Sequence, residues 1–318
     1  MSRPTPPDLP MRNGVSASCV ALPAGSWATV LDFLTDRIPA VARDDWHQRM
    51  AAGEVVTAQG EAIAPHTPYR EHARRHGRLF YWRALPFEHP IPFDETIVYQ
   101  DEWLLVADKP HFLPVTPKGR YLQETLLVRL KRRTGIATLV PMHRLDRETA
   151  GLVAFTIQPA TRDAYQRLFR DKSVHKVYEA IAPLHPDMAW PHTRLSRLEE
   201  SPHFMAMHEV DGPPNAETHI ELLGTTAQGL GHYRLQPSTG QKHQLRVHMN
   251  ALGLPIANDR IYPTLWPDTP EGQVPDLSRP LQLLARALSF TDPITGQFRH
   301  FESQRHLELG DATHCSPG

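Results

Sequence analysis

The stretch His143–Leu152, HRLDRETAGL, runs without a break into GLVAFTI, residues 151–157. Apolar, β-branched and aromatic residues dominate the second segment, so it reads as a buried strand, and the charged first segment reads as the turn that feeds it. Thr149 and Gly151 stand at the junction. They suit a tight backbone, and a glycine lets another group come close. Asp146 lies between Arg144 and Arg147. Opposite charge nearby favours its ionised form, which makes it a poor proton donor at neutral pH and a candidate nucleophile. The same three residues also describe a structural ion pair, and the stretch taken alone leaves both readings open.

Working outward, the chain keeps alternating short strands with a few helices. PATRDAYQRLFRDK is predicted as a helix opened by Pro159. VHKVYEAIA is an alternating strand whose Tyr178 is either a packing residue or a group that stacks on a base and accepts a proton. AETHIELLGTT and GHYRLQPSTG are further strands, and QKHQLRVHMNALG is predicted as a helix opened by Gly240 and ended by Gly253. Its first turns carry Gln241, Lys242, His243 and Arg246, which fit either an anion site at a helix N-terminus or a solvated helix end. LQLLARALSF and QFRHF close the pattern around the turn DPITG. On the other side, IVYQDEWLLVADKP reads as a hairpin turning at Gln100–Glu102, and YLQETLLVRLKRR as an amphipathic helix with a basic end. That basic end suits either phosphate binding or a solvated face. Many strands with few helices predict an α+β domain on a mixed, mainly antiparallel sheet with flanking helices, over residues 86–305. No internal repeat is visible.

Residues 1–25 are rich in Pro, Ser and Gly and are expected to be disordered. Residues 26–85 read as a small unit. Two helices, WATVLDFLTDRI and DDWHQRMAAG, precede short strands EVVT, EAI and RLFYWRAL, with the basic run YREHARRHGR before the last. Residues 306–318 form a tail without periodicity. The chain has 318 residues, 40% hydrophobic and 22% charged, which is ordinary for a globular protein. No window approaches the roughly 18 apolar residues of a membrane span, and MSRPTPPDLPMRNG lacks the apolar core of a signal peptide. A cytoplasmic protein with no membrane association is the expectation. The net charge of −1 excludes a surface coated in positive charge. It leaves room for nucleic-acid binding through local clusters, of which RLKRRTG and RLFRDKSVHK are two. Cys19 and Cys315 form neither a metal-ligand spacing nor a disulfide framework. His243 and His248 are five apart, not the four of helical zinc pairs, so no metal site is expected.

Three of these stretches together resemble the RluA-type family of RNA pseudouridine synthases. HRLDRETAGL is similar to the family's central motif HRLD-x-x-T-S/A-G-L. PSTGQKHQLRVHMNALGLPI is similar to its C-terminal motif, and KVYEA to the K-x-Y strand about 30 residues after the aspartate. The likeness covers Thr96 to Phe301. It implies a pseudouridine synthase domain that isomerises uridine in structured RNA, ribosomal large-subunit RNA first and tRNA second, acting as a monomer without cofactor or metal. It implies Asp146 as nucleophile, attacking C1′ of the ribose or C6 of the uracil, with Arg246 paired to it. It implies Tyr178 as base-packing residue and general base. Substrate binding would draw on His143, Arg144, Leu145, Thr149, Lys109, Lys242, His243 and Gln244. Residues 27–83 are similar to the small RNA-binding domain that often precedes this catalytic domain and is also found in a ribosomal small-subunit protein and tyrosyl-tRNA synthetases.

Three positions depart from the family pattern. Phe112 in KPHF stands where the family has glycine, which predicts a different loop shape. Gln241 stands where Arg or Lys is usual, so one cation for a phosphate is absent or displaced. Leu284 replaces the histidine of a Leu-His-Ala triplet. A non-catalytic RNA-binding protein of the same fold is the alternative, which an intact Asp146, Tyr178 and Arg246 set argues against. A metal-dependent hydrolase has only the histidine count in its favour.

Overall fold

The computed structural model describes residues 9–83, 87–185, 187–202, 206–267, 269–270 and 272–308. The chain forms two compact units, one from the N-terminus to Glu88 together with Lys131–Ala137, the other from His89–Leu130 and Thr138 onward.

The first unit has β1 (Ser18–Ala21), α1 (Val30–Arg37), α2 (Arg43–Ala51), β2 (Val55–Val56), α3 (Tyr69–His76) and β3 (Arg78–Tyr81), with the strands in the order β1-β3-β2. Helix α1 starts at a capping box: Thr29 Oγ1 accepts from the Asp32 amide, and the Asp32 carboxylate accepts from the Thr29 amide. Phe33, Leu34, Trp46, Met50, Tyr69 and Leu79 fill the core. Three expectations change here. Composition predicts no structure before residue 25, yet Ser18–Ala21 pair with β3, Cys19 opposite Phe80. Four strand residues vanish in an average over a Pro- and Gly-rich segment. The basic run before β3 is a helix, because Tyr69 and His72 lie on one buried side and Gly77 ends it in the left-handed conformation at φ 65°. EAI contributes an isolated bridge, Val56 to Ala62, and no strand.

The second unit is built on β4 (Thr96–Gln100), β5 (Leu104–Lys109), β6 (Val140–Pro141), β7 (Ala150–Thr156), β8 (His175–Ala182), β9 (His192–Glu200), β10 (Met207–Val210), β11 (Ala216–Thr225), β12 (Gly231–Pro237), β13 (Leu283–Thr291) and β14 (Phe298–Glu302). Its helices are α4 (Leu126–Thr134), α5 (Arg162–Arg170) and α6 (Gln244–Ala251). Helix α4 crosses the boundary, its last residues belonging to the first unit. The sheet runs β10-β9-β11-β12-β8-β13-β7-β5-β4, with β14 on β13 and β6 on β7. This is the α+β, mainly antiparallel arrangement expected. Strands β9 and β10 escape the sequence pattern because HTRLSRLEE and MHEV are polar, β10 being the sheet's edge strand and β9 its neighbour.

Every residue of β5 and β7 is buried, so these strands read as continuous apolar runs. One apolar cluster joins α6 to β8, β11 and β12 through Ala180, Ile220, Tyr233, Leu235, Leu245 and Met249. A second joins α5 to β5, β7 and β13 through Leu104, Leu152, Tyr165 and Leu288. The tail predicted from 306 begins packed: Leu307 is buried against Ala150, Ile181 and Leu284, and residues 309–318, with Cys315, lie outside the described residues.

The pairing of β13 with β7 is the parallel one among the pairings of the described residues; Leu284 faces Ala150 and Ala285 faces Gly151. Gly151 has φ 109°, and a Cβ there would stand 2.3 Å from the Ala285 carbonyl oxygen. The close approach inferred from a glycine is therefore the β13 backbone. Leu284, where the family triplet has histidine, is fully buried at this crossing.

Candidate active site

The loop carrying Asp146 is stapled from behind. The Thr149 amide donates to the Asp146 carbonyl at 3.2 Å and closes the turn. Lys109, fully buried at the end of β5, donates from Nζ to the carbonyls of Pro110 (3.0 Å), Leu113 (2.8 Å) and Arg147 (3.0 Å). Burial pushes its ammonium down to about 7 against the opposing charges of Glu148 and Asp146. All three of its donors are spent on backbone, so Lys109 shapes the loop and is not placed to bind substrate. His111 Nδ1 donates to the Glu148 carbonyl at 2.6 Å. Phe112 takes φ 65°, the left-handed backbone a glycine would adopt, with its ring buried. The loop thus keeps a glycine-like conformation, contrary to the altered shape predicted.

The cation on Asp146 is neither of its sequence neighbours. Arg147 turns away to Glu148 (2.7 Å) and the Tyr121 hydroxyl (2.8 Å). Arg144 is exposed and has no side-chain partner among the described residues. Arg246, 1% exposed, reaches Asp146 Oδ2 from Nη1 at 3.2 Å. Its other edge forks onto Asp259, Nε to Oδ2 at 2.7 Å and Nη2 to Oδ1 at 2.6 Å. Burial alone would lower this guanidinium, but Asp259 and Asp146 outweigh it and hold it above its ordinary value. Asp259 Oδ1 also accepts the amides of Ile261 (2.8 Å) and Tyr262 (3.1 Å), which fixes the fork. Sequence reasoning missed Asp259. The signal was a buried arginine that one half-exposed acid could not satisfy, with NDRIYP close downstream.

Helix α6 starts later than predicted. His243 sits at φ 55° and ψ 15°, left-handed, so the helix opens at Gln244, and Gln241 and Lys242 lie in the preceding turn. Gln244 holds that turn. Its Oε1 accepts from Gln241 N (3.0 Å) and Thr239 Oγ1 (2.7 Å), and its Nε2 donates to Glu217 O (2.8 Å) and Thr218 Oγ1 (3.0 Å). It has nothing left for a substrate, as expected of a buried amide that meets its full complement. His243 Nδ1 meets the Tyr262 hydroxyl at 3.0 Å, and that hydroxyl already accepts the Met207 amide at 2.7 Å. His243 Nε2 faces Asp146 Oδ1 at 3.8 Å. Burial lowers this imidazole, which favours the neutral form.

Tyr178, on β8 between Leu235 of β12 and Ala285 of β13, lines the same cleft. Burial, and then the charge of Asp146, push its phenol well above the ordinary value. Phenolate is disfavoured, so the geometry supports a packing platform more directly than the general-base role. His143 accepts the Ala154 amide on Nε2 at 3.2 Å and stacks on Phe169 at 4.8 Å; burial takes it down to about 3, so it anchors the loop as a neutral ring. Thr149 is buried, and Leu145 half-buried on the cleft. Lys242 is well exposed, 3.9 Å from Glu200. Lys176, not assigned a role from the sequence, lines the cleft and donates to the Thr239 carbonyl at 2.7 Å, with burial lowering it to about 8. The cleft encloses about 1590 Å³. Among the described residues no group of three or more His, Cys, Asp or Glu is placed to hold a metal ion, and no helix is long and apolar enough to cross a membrane.

Residues 103–251 match the RNA pseudouridylate synthase family. The dual-specificity RNA pseudouridine synthase RluA of Haemophilus influenzae is 32% identical over 212 residues, 65% of this chain and 92% of that protein. Ribosomal large subunit pseudouridine synthase D of Neisseria meningitidis is 32% identical over 224 residues, 67% of this chain and 59% of that one. Human RNA pseudouridylate synthase domain containing 1 shares the fold, with a TM-score of 0.55 and 22% identity over 69% of this chain and 86% of its own. The chain belongs to the RluA-type pseudouridine synthase family, and its class is that of an isomerase.

Proposed function

We propose that this chain converts uridine to pseudouridine in structured RNA with Asp146 as nucleophile, ribosomal large-subunit RNA being the first substrate to try and tRNA the second. The observation that carries the reading is Asp146 itself. Its side chain is 30% exposed at the cleft, and one oxygen is held by an arginine that a second, buried carboxylate fixes in place. Such an acid is oriented and reachable, as a nucleophile must be. The name of one relative, a ribosomal large subunit pseudouridine synthase, supports the first of these substrate classes.

In the reaction the C1′–N1 bond breaks, the uracil turns, and C5 bonds to C1′. C5 loses a proton and N1 gains one, so the product is an isomer and no external group is consumed. A base within folded RNA must leave its stack to reach Asp146. Tyr178 would pack on it, His243 would present Nε2 to the free oxygen of Asp146, and Arg144 and Lys242 would hold phosphates. The first unit, with exposed Arg70, Arg74, Arg75 and Arg78, would add RNA affinity. The enzyme would act as a cytoplasmic monomer.

The test is release of tritium from RNA labelled at uracil C5. Ribosomal and tRNA pools are treated with wild type and Asp146→Ala. Release by wild type alone supports the proposal, and the responding pool names the substrate class. No release from either pool, with RNA binding intact, would favour a binding protein of this fold.

A further inference from the structure

The cleft around Asp146, about 1590 Å³, exceeds the roughly 300–1,000 Å³ of a pocket for one small ligand. A single flipped nucleotide leaves much of it to other parts of the RNA. One wall, lined by Arg260, Leu265, Trp266, Pro267, Thr269 and Asp276, is not used by the groups assigned to the chemistry. It presents Trp266, 39% exposed, with the guanidinium carbons of Arg260 and Arg279 at 5.6 Å and 5.9 Å from the ring centre. Arg260 lies equally close to the buried Phe112 ring, at 5.8 Å. One guanidinium thus joins two aromatic rings, and the second ring exists only because this chain has Phe112 where the family pattern has glycine.

The wall is held in place before any ligand arrives. The Trp266 amide donates to the Arg260 carbonyl at 2.8 Å. Arg260 Nη2 donates to the Asp276 carbonyl at 2.7 Å and lies 3.6 Å from the Asp276 carboxylate. Arg120 Nη1 donates to the Thr269 carbonyl at 2.9 Å. Asp276 offsets part of the positive charge here, so the chemistry presented is planar surface more than net charge. Indole rings and guanidinium planes are the surfaces on which unpaired bases stack, and a pre-ordered platform loses little freedom on binding. Continuity with the catalytic cleft favours a base of the same RNA over a protein partner.

We propose that Trp266, with Arg260 and Arg279 against it and Phe112 behind, is a stacking subsite for an unpaired nucleobase beside the target uridine, so that this wall sets the sequence context of modification. The proposal rests on the RNA-isomerase reading for the identity of the strand, and its test is separable from that reading. Full-length wild type, Trp266→Ala and Trp266→Phe are titrated with fluorescein-labelled octauridylate and with a labelled abasic ribose-phosphate octamer. Stacking on a protein aromatic predicts that Trp266→Ala binds octauridylate roughly tenfold more weakly. Trp266→Phe keeps most of the affinity, and all three proteins bind the abasic octamer alike. An unchanged thermal melt shows that the variants are folded. Equal binding of octauridylate by wild type and Trp266→Ala, or equal losses on both probes, would overturn the proposal. Tritium release by wild type is measured beside it. Absence of release counts against the isomerase reading alone, while release accompanied by a raised KM and unaltered kcat in Trp266→Ala agrees with a binding subsite.

Discussion

Asp146 is made useful by two residues far away in sequence. Arg246 pairs with it, and Asp259 locks Arg246. Asp146→Asn is expected to lower kcat at least a thousandfold, about 4 kcal/mol of barrier. Thermal stability should be nearly unchanged, since the Asp259 fork stays intact. Single-turnover assays and a melting curve check both halves, and appreciable turnover would remove Asp146 from the nucleophile role. Asp259→Asn should lower both stability and turnover. Taking one partner from a buried ion pair costs about 3–5 kcal/mol, so the melting temperature should fall by several degrees and kcat with it. Tyr178 has its own test. Its phenol is pushed up by burial and by Asp146, so the proton stays on throughout the neutral range. If catalysis needs the phenolate, kcat must climb with pH across that range and Tyr178→Phe must remove the climb. A flat profile would assign Tyr178 to packing alone.

Among the elements, the β7–β13 crossing and the start of α6 place these side chains. Gly151 is required twice over, by its positive φ and by the Ala285 backbone against it. Gly151→Ala should therefore cost several kcal/mol, at the severe end for single substitutions, and appear as insoluble or low-melting protein. A soluble variant with an unchanged melt would contradict the crossing. The helix after Gly240 was legible in its C-terminal stop at Gly253 but not in its start. A left-handed histidine has no sequence signature, and the Gln244 side chain that fixes the turn draws its partners from β11 and the loop after β12. Phe112 shows the same limit. A residue at φ 65° is expected to be glycine, and only the packing of its ring explains why phenylalanine stands there.

For the molecule as a whole, the division into two units cuts through α4, whose last residues belong with the N-terminal unit. Deleting the N-terminal residues would strand that helix end, so the RNA-binding role of the first unit is better tested by charge. Replacing exposed Arg70, Arg74 and Arg75 with Gln should weaken RNA affinity, and each phosphate left without its arginine should flatten the salt dependence by about 0.7–0.9 in log–log slope. The rate from bound RNA should not change. Equal affinity and equal slope would deny the unit that role.

Local chemistry determined much of this protein. Alternation and apolar runs give β5, β7, β8, β11, β12 and β13, because a strand buried on one face repeats every second residue and one buried on both faces is apolar throughout, whatever the partner strand is. The acid in HRLDRETAGL, the tyrosine in KVYEA and the arginine in HQLR are legible as reactive types in a distinctive order. The pairing that makes them a site was decided by tertiary structure. Arg246 meets Asp146 across 100 positions. Arg144 and Arg147, the cations nearest in sequence, leave the acid alone. Lys109 and Gln244 look like substrate ligands in the sequence but spend their hydrogen bonds on backbone and neighbouring side chains. A polar side chain's role depends on which donors and acceptors surround it once water is excluded, and those neighbours come from distant segments that sequence periodicity does not encode.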